Sequence, residues 1–169
     1  FMHESEMNFG GRRGLKLIDR GMYDLTAQLV QLWQPGEPLS FVTMPAIQKF
    51  MTYPPFGQQG NLDLLPGLFH PTDGGTEVFK NRRAVLDVTR EMVRVVSRAY
   101  DFTVLDIGQD FTDAYHQVAI QEADDVLVIV PPNVTALIDT KFALRSLKEA
   151  FGGLGKFRLL ITGYDERLG

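Results

Sequence analysis

Three stretches of this chain, residues 103–107, 126–130 and 157–161, read as apolar runs of strand length, broken only by Thr103, Asp106 and Arg158. A strand with one face in water alternates apolar and polar residues. A run without alternation belongs to a strand covered on both faces, the pattern of a parallel sheet between helices. Between the runs lie segments of helical period, so strands and helices alternate. The predicted fold class is α/β: a doubly wound, mostly parallel sheet with helices on both faces, a three-layer Rossmann-like sandwich.

The 169 residues suit one domain with a full core. Hydrophobic residues make up 44% and charged residues 22%, which predicts a globular chain. There is no apolar run near membrane-spanning length and no apolar signal-like core near Phe1. A cytoplasmic location is expected. Zero cysteines exclude disulfides, thiolate metal sites and Cys nucleophiles. A net charge of -4 argues against general nucleic-acid binding. His3, His70 and His116 have no metal-ligand spacing, and no Ser-His-Asp arrangement is visible. The chain starts on Phe1 and stops on Gly169 just after a predicted strand. Both ends read as cut, so 1–169 is expected to be one domain, incomplete at its N-terminus.

Residues 1–22 are rich in glycine and read as a loop. A helix is predicted over 23–33, stopped by Pro35-Gly36, then a short strand over 39–43. Residues 44–60 read as a long loop holding one helical turn, and 62–65 as a short strand ending at Pro66-Gly67. A single long helix is predicted over 77–99, its apolar face carried by Val85, Val88, Met92 and Val96. Then come a strand over 102–107, a helix over 112–122 with Thr112 as N-cap, and a strand over 125–130 broken by Pro131-Pro132. A helix from Asn133 to Phe151 and a strand over 157–162 follow.

The run 102–107 ends in Asp106 and is followed by Gly108 and Gln109. A buried parallel strand delivers such a carboxylate to the C-terminal edge of the sheet, where open α/β folds bind ligands.

The order of these pieces is that of a known family. Asn61-Leu-Asp-Leu-Leu-Pro-Gly67, the long helix, Tyr100-Asp-Phe-Thr-Val-Leu-Asp-Ile-Gly108, Ala123-Asp-Asp-Val-Leu-Val-Ile-Val130 and Phe157-Arg-Leu-Leu-Ile-Thr162 resemble the MinD/ParA family of P-loop ATPases. The likeness covers residues 60–165 and is greatest to the divergent pilus-assembly and secretion-localisation branch (TadZ/CpaE-like). It implies that Asp106 is the switch II aspartate, contacting Mg2+ through water and sensing the γ-phosphate. It implies cofactor contacts at Gly108 and Gln109 on the phosphate side. Pro131, Thr162 and Gly163 would lie on the base side, although Thr162-Gly163 stands where the family has an Asn-Arg-like pair.

The family's phosphate loop, K-G-G-x-G-K-T/S, is not in this chain. Gly10-Gly-Arg-Arg-Gly-Leu-Lys16 has different spacing, no following Ser or Thr and no apolar strand before it. The loop either lies upstream of Phe1 or has been lost.

The resemblance implies an ATP- and Mg2+-dependent homodimeric switch, an ATPase if the loop exists. It would position a partitioning, pilus, secretion or motility machine through a protein partner, with peripheral membrane or DNA contact. The alternatives are a non-hydrolysing scaffold of the same fold and a response-regulator receiver domain phosphorylated on Asp106. Against the receiver stand Val130-Pro131 where a Ser or Thr is needed, and Gly163-Tyr164 where a Lys-Pro pair is needed. Lys141, Arg145 and Lys148 fall at helical spacing and read as a solvated helix face.

Overall fold

Residues 21–51, 62–67, 76–107 and 113–163 are described by a computed structural model. The chain divides into two compact units, Phe1–Val118 and Ala119–Gly169.

The first unit is helical in its described residues. Helix α1 (Met22–Leu32) buries Leu25, Thr26, Leu29 and Val30 on one stripe. Its start is held by Asp24, whose carboxylate accepts the Gly21 N–H at 2.9 Å. Beyond its end, Gly36 takes φ 82°, a left-handed turn position open to glycine.

The strand expected over 39–43 is absent. The Val42 N–H donates to the Leu39 carbonyl at 3.0 Å, closing a turn, and Val42 is buried in the helical core. Local hydrogen bonding and burial against helices outweigh the strand preference of Phe41 and Val42. The short helix α2 (Met44–Gln48) is the helical turn expected within 44–60; residues 52–60 lie outside the described residues.

The long helix is two helices, α3 (Thr76–Phe79) and α4 (Arg82–Ala99). The break falls at Lys80-Asn81. The Asn81 side chain accepts the Ala84 N–H at 3.2 Å, so it starts a new helix instead of continuing the old one. Helix α4 buries Ala84, Val85, Val88, Thr89 and Met92 against α1 and α2. The Trp33 indole donates to Asp87 at 3.3 Å and ties the end of α1 to α4.

Residues 62–65 hold an isolated bridge at Leu64 instead of a strand. The expected strand over 102–107 is also not formed, since none of these residues joins a ladder. Its apolar side chains do not enter the core: Phe102 and Val104 are 90% exposed. Only Thr103 and Ile107 are half-buried; Leu105, which a period-two segment would bury with them, is exposed.

Helix α5 (Ala114–Glu122) contains the boundary between the units. Thr112 lies outside the described residues. The helix is opened by Asp113, whose carboxylate accepts the Tyr115 N–H at 2.8 Å.

The second unit is a β-α-β arrangement. Strand β1 (Val126–Val130) and strand β2 (Phe157–Ile161) pair in parallel, Val126 opposite Phe157 and Val130 opposite Ile161. Helix α6 (Val134–Phe151) connects them and packs on β1. Asn133 caps its start, accepting the Ala136 N–H at 2.8 Å. Gly152 ends it at φ 75°, a left-handed C-terminal position that favours glycine.

Partners across a parallel pair point to the same face. Val126, Val128 and Val130 therefore share one face with Phe157, Leu159 and Ile161, while Leu127 and Ile129 share the other with Leu160. Leu127 is 62% and Ile129 64% exposed, so the burial expected on both faces of this strand is not found. Lys156 anchors the unit from below, its ammonium donating to the Gln121 carbonyl at 2.9 Å and the Ala123 carbonyl at 3.0 Å.

Candidate functional site

The C-terminal edge of the parallel pair brings together three residues singled out in the sequence. Strand β1 ends at Val130, whose carbonyl accepts the Thr162 N–H at 3.1 Å. That bond extends the ladder by one rung and sets Thr162 beside the start of the Pro131-Pro132 turn. Pro131 cannot donate to a ladder and so ends the strand. Its carbonyl accepts the Asn133 N–H at 2.8 Å, turning the chain into α6.

Gly163 follows at φ 72°, where no L side chain is comfortable, and a Cβ built there meets nothing within 4 Å. Pro131, Thr162 and Gly163 are all exposed. The edge thus offers a flat proline surface, one hydroxyl and an uncrowded glycine backbone. That set can stack against and hydrogen-bond a planar ligand. None of these three residues is charged.

Asp106 belongs to the first unit, in the exposed segment after α4. Its carboxylate is open to solvent. A hydrated Mg2+ needs no more from a protein than one such carboxylate, because the ion keeps several waters and takes phosphate oxygens. Among the described residues no group of three or more His, Asp or Glu gathers to hold a metal ion. Gly108, Gln109 and the Gly10–Lys16 stretch lie outside the described residues.

Tyr100 and Asp63 were not picked out as interacting in the sequence, and no local pattern pairs them. The Tyr100 hydroxyl donates to the Asp63 carboxylate and also lies 3.6 Å from the Met51 sulfur. This bond joins the 62–65 segment to the start of the 100–107 segment, two of the stretches that carry the family resemblance.

An aromatic cluster of buried Tyr115 with half-buried Tyr23 and Phe79 lies elsewhere in the first unit. Tyr23 meets Phe79 and Tyr115 edge-on, at ring distances of 5.8 and 5.0 Å. Burial pushes the Tyr115 phenol well above its ordinary range. The Thr26 hydroxyl opposes this, and the nearby Tyr23 and Asp113 charges add to it. The Thr26 proton is committed to the Met22 carbonyl at 2.8 Å, and no hydrogen bond of normal geometry reaches the Tyr115 oxygen. Tyr23 is raised too, first by burial and then by Asp113.

Lys141, Arg145 and Lys148 do share one helix face. All three are exposed, as a solvated face requires, and they also rim an open cleft between α6 and the sheet. Among the α4 arginines, Arg82 donates to the Gln117 side chain at 2.9 Å, and Arg83 and Arg90 sit 3.9 and 4.0 Å from Asp87. No helix among the described residues is long and apolar enough to cross a membrane.

Comparison with protein-family models, with curated proteins and with solved structures returns no match to this chain.

Proposed function

We propose that this chain is part of an ATP-dependent dimerising switch of the MinD/ParA kind, on a doubly wound α/β fold, that positions or assembles a cellular machine. The observation that supports it most is the meeting of Pro131 with Thr162 and Gly163 at the C-terminal edge of a parallel pair. Ligands of open α/β folds bind at that edge. In this reading the edge contacts the base, and Asp106 holds Mg2+ through water. Charge on the transferring phosphoryl group would be met by the ion and by a phosphate loop. ATP binding joins two copies and hydrolysis releases them.

A non-hydrolysing scaffold is the second reading. It is favoured by Thr162-Gly163, because Gly163 offers no side chain to an adenine where the family has an Asn-Arg-like pair.

Calorimetric titration of the full chain with ATP and Mg2+ tests the proposal. Saturable binding that is lost in Asp106→Ala supports the switch. An intact, folded chain that takes up no ATP would sink it, and binding without turnover would select the scaffold.

A further inference from the structure

The cleft between α6 and the sheet has a volume of about 370 Å³. Its floor is aliphatic: Val130, Leu159 and Ile161 from the strands, Leu137 and Leu144 from α6, and Leu154 from the turn after it. The helix residues that line it, from Leu137 through Thr140, Lys141, Leu144 and Arg145 to Lys148, recur at three- and four-residue spacing. They form one stripe on α6.

The charges on that stripe all have one sign. Lys141, Arg145 and Lys148 line the cleft, while the two carboxylates of α6, Asp139 and Glu149, do not. A helix that merely solvates its cations puts them away from its apolar stripe. Here the cations flank the apolar floor. Arg145 leans on Glu149 at 3.5 Å; among the described residues Lys141 and Lys148 make no ion pair. This rim is cationic in a chain whose net charge is -4. Lys141 and Lys148 are seven residues apart, about 10 Å along the helix.

We propose that this cleft binds an acidic amphipathic helical segment of a partner protein. Two apolar side chains of the partner, one turn apart, would fill the floor, and two carboxylates, two turns apart, would face Lys141 and Lys148. Helix-in-groove recognition works through this combination of spaced apolar anchors and flanking charge. Complementary charge sets the orientation and speeds encounter. The proposal does not rest on nucleotide binding: its residues lie in the second unit, and it uses the Val130 side chain, whereas the edge uses the Val130 carbonyl.

The test is fluorescence anisotropy with the full chain and a labelled, end-blocked helical peptide. The peptide carries leucines four residues apart and glutamates seven residues apart on the adjoining face. A control peptide has lysines in place of the glutamates. We expect saturable binding of the acidic peptide without nucleotide, and about tenfold weaker binding of the control. The exposed pair Lys141→Glu and Lys148→Glu, checked for folding by circular dichroism, should reverse that preference. Leu159→Gln, which wets the floor without touching charge, should weaken both peptides. Equal binding of the two peptides would overturn the proposal. So would an unchanged preference in the charge-reversed chain, or capture by anionic vesicles with no binding of the acidic peptide.

Discussion

The Tyr100 hydroxyl donates a hydrogen bond to the Asp63 carboxylate across 37 residues of sequence. The bond is part-buried, and it fastens the segment leading to Asp106 onto the segment before Pro66. Met22, at the start of α1, donates its N–H to the Pro66 carbonyl at 2.8 Å. The position of the 100–107 segment is thereby tied to the helical core.

Because one partner is charged, this bond should contribute on the order of 1–2 kcal/mol. Tyr100→Phe and Asp63→Asn are each expected to lower stability by that amount in urea denaturation. The double variant should lose less than the sum, with a coupling of about 1 kcal/mol. Additive losses would show that the two groups do not act together.

Tyr115 predicts a response to alkali. Its phenol is raised in the folded chain, so folding favours the neutral form. The contribution is fully present below the ordinary phenol value near 10 and is lost as pH rises above it, because the unfolded chain then ionises and the folded one does not. Thermal stability measured from pH 8 to 11 should hold and then fall above about pH 10. Tyr115→Phe removes a buried hydroxyl that lacks a good partner, and should shallow that fall while leaving neutral stability equal or higher by about 1 kcal/mol. A steeper alkaline loss in the Phe variant would contradict this account.

The ends of the two long helices are set by single residues. Asn81→Ala should cost about 1 kcal/mol by removing the acceptor of the Ala84 N–H. Gly152→Ala should cost about 1 kcal/mol by placing a Cβ at φ 75°. The Gly152 penalty is conformational, since a Cβ there meets nothing within 4 Å. Chemical denaturation reads both, and Gly153→Ala serves as the control, with a loss well under that of Gly152→Ala.

Lys156 closes the end of α5 by donating to the Gln121 carbonyl in its last turn and to the Ala123 carbonyl just beyond it. Lys156→Met keeps the aliphatic stem and removes the donors. Amide exchange should speed up selectively over residues 119–123 and in β2 next to Lys156. Exchange that stays unchanged there would mean the ammonium is replaced by water without consequence.

Much of the helical layout was legible in the sequence. Periodic apolar residues, Pro35-Gly36 and Asn133 marked α1 and α6 to within a residue or so, and the apolar runs 126–130 and 157–161 became the parallel pair. These features are local: spacing sets a helix stripe, and caps and glycines set its ends. The split at Asn81 was also written locally, in a side chain that competes for backbone N–H groups, but the long apolar stripe masked it.

What the sequence could not decide is which apolar run finds a partner. Residues 103–107 carry Thr103 and Asp106 and join no ladder, yet 157–161 carries Arg158 and still pairs with the wholly apolar 126–130, so composition does not tell which run finds a partner. Strand formation depends on backbone partners far away in sequence, whereas a helix satisfies its own hydrogen bonds. The same holds for the site. The residue types at Asp106, Pro131, Thr162 and Gly163 were visible in the chain itself. The meeting of Pro131 with Thr162, the Tyr100–Asp63 bond and the placing of Lys141, Arg145 and Lys148 around an apolar cleft exist only through tertiary packing, because each joins groups that no short-range pattern links.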